Sequence, residues 1–158
     1  PGYFDIGPGI TYKPNDWFSV NFSPATAAWI VVSDQALADS GSFGLEPGYV
    51  GSDGNYIHAK KVKTMFGAKV MAVLQKEVAK NITLGTKLEL FSDYLDNPQN
   101  IDINWQVLVS LKVNSWLNVD LSTELIYDDD VMITDKDGNT GPRTQFKELL
   151  LLSVGFAF

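Results

Sequence analysis

The side chains best suited to chemistry are acidic and cluster late in the chain. Asp128, Asp129 and Asp130 are consecutive, and Asp135 and Asp137 follow closely. Hard cations such as calcium take oxygen ligands of this kind. Asp135-Lys136-Asp137-Gly138-Asn139 has part of the spacing of a calcium loop. The helix-flanked motif nevertheless fails, because Ile133 stands two places before Asp135 and Thr144 occupies the place of the bidentate Glu. An Asp-Gly turn in a solvated loop accounts for the run with fewer demands, so no metal or cofactor is expected. Arg143 opens the final strand opposite the end of the strand that finishes at 128–130. A charge-assisted pair between Arg143 and that cluster is expected to brace the loop.

Other chemistries are harder to assemble. Cys is absent, which removes disulfides, thiolate metal sites and Cys nucleophiles. His58 is the single histidine, so a multi-His zinc site is excluded. His58 invites a hydrolase reading, with Ser52 and Asp53 close in sequence, but no nucleophile motif surrounds any Ser. A non-enzymatic role is expected. Twelve basic against 19 acidic residues give a net charge of −7, which argues against a nucleic-acid partner.

The elements that must position these residues are strands, because the apolar pattern has period two. Ile101, Ile103, Trp105, Val107, Val109, Leu111 and Val113 form one parity, and Asp102, Asn104, Gln106, Leu108, Ser110 and Lys112 the other. Leu117 to Asp128 repeats the pattern, with Asn118, Asp120, Ser122 and Glu124 on its polar side. Seven strands are expected, at about 2–12, 17–33, 62–78, 82–94, 101–113, 117–128 and 144–158. Pro24 cannot donate to a ladder, so the second strand should bulge or divide there. The apolar spacing over 60–78 suits an amphipathic helix about as well as a strand.

The apolar parity is uniform and has aromatic residues towards both strand ends: Tyr12, Trp17, Phe18 and Trp116 at one, Trp29, Phe91, Trp105 and Tyr127 at the other. The polar parity contains glycines and single charges. Turns at 13–16, 79–81 and 114–116 are short, whereas connections at about 34–61, 95–100 and 129–143 are long. These features predict an all-β, antiparallel, up-and-down transmembrane barrel, with its apolar face towards lipid and the long loops external. A soluble barrel or sandwich is the competing fold, with the faces exchanged. No apolar run reaches the ~18 residues of a membrane helix. Lys87, Glu89, Lys112, Asp120 and Glu124 are then expected to line the lumen.

Seven strands would bring the first and last together in parallel, whereas single-chain bacterial barrels close antiparallel. The chain, which begins at Pro1 without an initiating Met, is therefore expected to be the C-terminal part of a larger barrel. Strands would be missing before Pro1 or be supplied by another chain.

Six stretches stand out: PGYFDIGPGITYKPND at 1–16, SPATAAW at 23–29, GSFGLEPG at 41–48, FSDYLDNPQNIDINWQVLVSLKVN at 91–114, LIYDDD at 125–130 and GPRTQFKE at 141–148. On these the chain resembles the C-terminal half of a family of Bacteroidota outer-membrane β-barrels of unassigned activity. The resemblance implies a strand at 62–78 and a longer parent with a comparable N-terminal half, and it brings no catalytic residues. Phe156 and Phe158 look like the C-terminal signal read by the barrel-insertion machinery. The partners expected are the outer-membrane bilayer of a Gram-negative bacterium, that machinery and other outer-membrane proteins. The function expected is a pore or transport channel for small solutes. The alternative is a non-enzymatic accessory subunit of an outer-membrane complex.

Overall fold

The computed structural model describes residues 1–155, so Phe156 and Phe158 lie outside the described residues. The chain runs β1 (Gly2–Ile6), β2 (Ile10–Asn15), β3 (Phe18–Val31), α1 (Gln35–Asp39), a 3₁₀ turn (Ser42–Gly44), β4 (Tyr49–Val50) and β5 (Tyr56–Ile57). It continues through β6 (Val62–Ala79), β7 (Ile82–Asp93), β8 (Asp102–Lys112), β9 (Leu117–Tyr127), β10 (Met132–Thr134), β11 (Thr140–Pro142) and β12 (Gln145–Val154). The main sheet has the order β1-β3-β6-β7-β8-β9-β12, with β2 also on β3. All its pairs are antiparallel. It curls into a half-barrel of seven strand positions, the first shared by β1 and β2.

That first position is broken where one strand was expected over 2–12. Gly7-Pro8-Gly9 interrupts it opposite a bulge in β3, whose register on β6 shifts between Ser23 and Thr26. Ser23 pairs with Lys69 and Thr26 with Gly67, so β3 carries one extra residue there. The bulge falls at Pro24, which has no N–H for the ladder, as expected. The backbones come close at this point: a Cβ on Gly7 would lie 2.6 Å from the Ala25 carbonyl oxygen. Residues 62–79 are extended throughout, and the helical alternative is not adopted. β6 pairs with β3 on one side and β7 on the other, and those two ladders outweigh an apolar spacing that also fits a helix.

Register carries the alternation from strand to strand. Lys87 faces Gln106, which faces Glu124, which faces Lys147. Glu89 likewise faces Asn104, and Ser110 faces Asp120. The polar parities therefore form one continuous face. The buried sheet residues Ser23, Thr26, Ile30 and Asp93 all belong to it, which makes it the concave side. The large exposed apolar residues of the opposite parity, Phe4, Ile6, Ile10, Phe22, Phe66, Trp105, Leu150 and Leu152 among them, cover the convex side.

The tight connections at 16–17, 80–81 and 113–116 lie at one end of the sheet, and 32–61, 94–101 and 128–144 at the other. Asn81, at φ 64, takes the left-handed conformation that the 80–81 turn needs. Among the described residues no helix is long and apolar enough to cross a membrane.

Candidate functional site: a polar concave face with an acidic mouth

Three of the clefts formed by the described residues stack along the concave face from the tight turns to the long loops. The first, about 450 Å³, is lined by Glu77, Thr83, Ser110, Lys112, Asn118 and Asp120. The second, about 510 Å³, includes Gln75, Lys87, Gln106, Leu108, Ser122 and Glu124. The third, about 250 Å³, includes Tyr3, Asp5, Lys69, Glu89, Asn104 and Asp128. All five side chains expected to face a lumen, Lys87, Glu89, Lys112, Asp120 and Glu124, are therefore on the concave face. Lys112 faces Asn118 and Ser110 faces Asp120, the diagonal arrangement expected of Lys112 and Asp120.

Charges on this face are linked across strands. The Lys69 ammonium donates to Asp5 at 2.9 Å and lies 3.7 Å from Glu89. Lys87 lies 3.1 Å from Glu89. The Gln106 amide donates to Glu124 at 3.0 Å. Lys69 on β6 reaches Asp5 on β1 past the intervening β3, a span that the curl of the sheet shortens.

At the long-loop end, carboxylate oxygens of Asp102, Asp128 and Asp129 lie within 4.8 Å of one another. Among the described residues, these are the ones that could place three carboxylates around one cation. Burial pushes the Asp128 carboxyl above the ordinary carboxylate range, and Asp129 and Asp130 add to the shift. The Asp130 N–H, donated to Asp128 at 2.9 Å, and the Lys63 ammonium oppose it. Asn100 donates its side-chain amide to Asp129, and Lys63 pairs with Asp130.

Sequence reasoning missed Asp102 and Lys63. Their membership of the polar parity was the available signal. Their neighbours lie 26 and 67 residues away in sequence, at Asp128 and Asp130, and only the sheet registers and the curl bring them together.

Arg143 does not brace the 128–130 cluster. Its guanidinium donates to Asp135 at 2.6 Å and to the Asn139 carbonyl at 3.4 Å. The β10–β11 hairpin folds the loop back on itself, pairing Met132 with Pro142 and Thr134 with Thr140, and so brings Asp135 beside Arg143. Asp135 also accepts the N–H groups of Asp137 and Asn139, each at 2.9 Å. These hydrogen bonds, led by the Asn139 N–H, hold its carboxyl below the usual range. The partial calcium-loop spacing at 135–139 is thus a hairpin turn closed by Asp135 itself.

His58 is not grouped with Ser52 and Asp53. Its Nδ1 lies 2.7 Å from Asp39, and its ring meets Tyr56 edge-on at 5.1 Å. Asp53 instead accepts from the Asn55 backbone at 3.1 Å and from its side chain at 2.8 Å. No family model, curated protein or solved structure matches the chain.

Proposed function

We propose that the chain is part of an integral outer-membrane β-barrel of a Gram-negative envelope, and that its concave face lines a passage for small solutes. The observation that carries this reading is the distribution of the two parities. The convex side presents Phe4, Ile6, Ile10, Tyr12, Phe22, Phe66, Trp105, Leu150, Leu152 and Val154 in exposed positions. The concave side holds ion pairs joining Asp5, Lys69, Glu89 and Lys87. A soluble barrel places its apolar parity inside. The arrangement here is the reverse and suits a hydrocarbon solvent outside and water inside. Loop asymmetry agrees, with tight turns at one end and long connections at the other.

The sheet edges support a larger barrel. Six antiparallel steps separate β1 from β12, so the two edge strands run in the same direction. Unpaired edges are not tolerated in hydrocarbon, and antiparallel closure needs an odd number of further strands. Those strands complete the lumen in this reading.

The test is the full-length protein in planar bilayers. Discrete conductance is expected, and Glu124→Lys should move the ion preference towards anions. The absence of current above lipid background, both from the intact protein and from one in which the 34–61 connection is shortened, would overturn the reading. The exposed Tyr49, Val50, Tyr56 and Ile57 of the β4–β5 hairpin favour a second one, an accessory subunit that holds partner proteins by its loops. That reading expects electrical silence and stable co-purification with other envelope proteins. A solitary protein after gentle extraction would overturn it.

A further inference from the structure

We propose that residues 34–61 form a folded cap seated over the long-loop mouth of the concave face, and that the Lys63–Asp130 ion pair beneath Gly44 is the latch that holds the mouth narrow under it. The proposal rests on reading that face as a lumen, and it assigns the lumen an obstruction.

The long connection is ordered from within. Asp34 caps α1 by accepting the Leu37 N–H at 3.0 Å. Asp39 then gathers the ends of the segment: it accepts from the Gln35 amide at 3.0 Å, the Ala59 N–H at 2.7 Å and His58 at 2.7 Å. Its own carbonyl accepts the Gly48 N–H at 3.0 Å. A connection built for reach would not converge on one carboxylate.

The cap also packs inward. The one buried apolar cluster among the described residues joins Ala38 and Leu45 of the cap to Ile30 and Val32, with Phe43, Ala59 and Met65 against it. Ile30 and Met65 are concave-face residues that also line the third cleft. The cap therefore sits against the inner side of β3 and β6. The chain turns down through Gly41, Phe43 and Gly44, all at positive φ. Phe43 in that conformation is strained, and its packing against the cluster compensates for the strain.

The cap finally reaches across the opening. A Cβ on Gly44 would lie 3.3 Å from the Lys63 ammonium and 3.2 Å from Asp130 Cβ. Lys63 is on β6, and Asp130 follows β9, beyond β7 and β8 in the sheet. The ion pair is thus a chord across the curl, with the cap's backbone resting on it.

The chain has no cysteine, and any in the remainder of the full-length protein is first changed to Ser, so that the introduced thiol alone is read. Asn104→Cys places a thiol on the concave face in the third cleft, beneath the cap and outside the latch. The full-length protein in lipid vesicles is treated with a bulky, impermeant maleimide added on the loop side. Labelling should be slow with the cap intact. It should speed up about tenfold with Lys63→Ala or Asp130→Asn, the scale of losing a charge-assisted hydrogen bond. It should be fastest when 35–57 is replaced by a short Gly-Ser linker. Fast labelling with the cap intact, or slow labelling that none of these changes accelerates, would overturn the proposal. Conductance of the same proteins separates the two ideas. Accelerated labelling with no current from any variant would uphold the cap and reject the pore.

Discussion

Asp128 shows how one side chain records the curl of the sheet. Its carboxyl sits above the ordinary range because burial disfavours the charged form, with Asp129 and Asp130 adding repulsion. A carboxyl whose folded pKa is raised favours the folded mouth below the ordinary carboxylate value, and that contribution is lost as pH rises through the raised value. The mouth should therefore loosen on raising the pH through and above the normal Asp range. Hydrogen exchange at 128–131, followed against pH, should show protection falling over that window. Asp128→Asn should flatten the profile, and a profile unchanged by the substitution would refute the assignment. Asp135 has the opposite sign, because the Asn139 N–H and further donors hold its carboxyl low. The β10–β11 hairpin should keep its order at neutral pH and lose it only as the pH falls through the lowered value. The acidic run was legible in the sequence as a cluster. Its division into a turn residue, Asp135, and a buried group, Asp128, was not, because that depends on which backbone donors the hairpin turns inward.

Among elements, β8 states the case most plainly. Trp105, Val107 and Val109 point to the convex side, and Gln106, Leu108 and Ser110 to the concave side. If the convex side faces hydrocarbon, as proposed, an Arg there near the midplane costs about 2–4 kcal/mol, whereas a concave side facing water would bear it more cheaply. Val109→Arg should lower the unfolding free energy in lipid by that amount, and Leu108→Arg should lower it by less than half as much. A larger cost at Leu108 than at Val109, measured by denaturant titration in vesicles, would mean that the faces have been assigned the wrong way round, and equal costs that neither side meets hydrocarbon. The alternation that makes this prediction possible was readable from residue types alone, as were the registers of the 113–116 hairpin. Two features needed the structure. Gly7-Pro8-Gly9 is a breaker signal in the sequence, outweighed there by the alternation on either side; what needed the structure is that the interruption lies against Ala25 and Ser23 at the β3 bulge. The strand at 62–79 was ambiguous because a spacing that suits both periods is settled only by its two neighbours.

At the scale of the molecule, the curled sheet ends in two open ladders. β12 pairs with β9 along its whole length, from Gln145 against Ile126 to Val154 against Leu117. In an antiparallel ladder, alternate backbone N–H groups point to alternate neighbours, so half of the β12 amides are directed away from β9. Leu149 and Leu151 also place apolar side chains on the concave face at this edge, where the other strands are mainly polar. A strand apolar on both sides is one covered on both sides. Further strands are therefore expected to pair along β12 and pack over Leu149 and Leu151. Hydrogen exchange on the full-length protein in lipid can read this amide by amide. If the barrel closes, all the amides from 146 to 153 should be protected, those pointing away from β9 by several orders of magnitude over an open chain. If instead every second amide exchanges at the rate of an unpaired strand, the edge is open in the complete protein. A lipid-facing sheet with such an edge is untenable, and the outer-membrane reading would fall with it, however well the two faces are sorted.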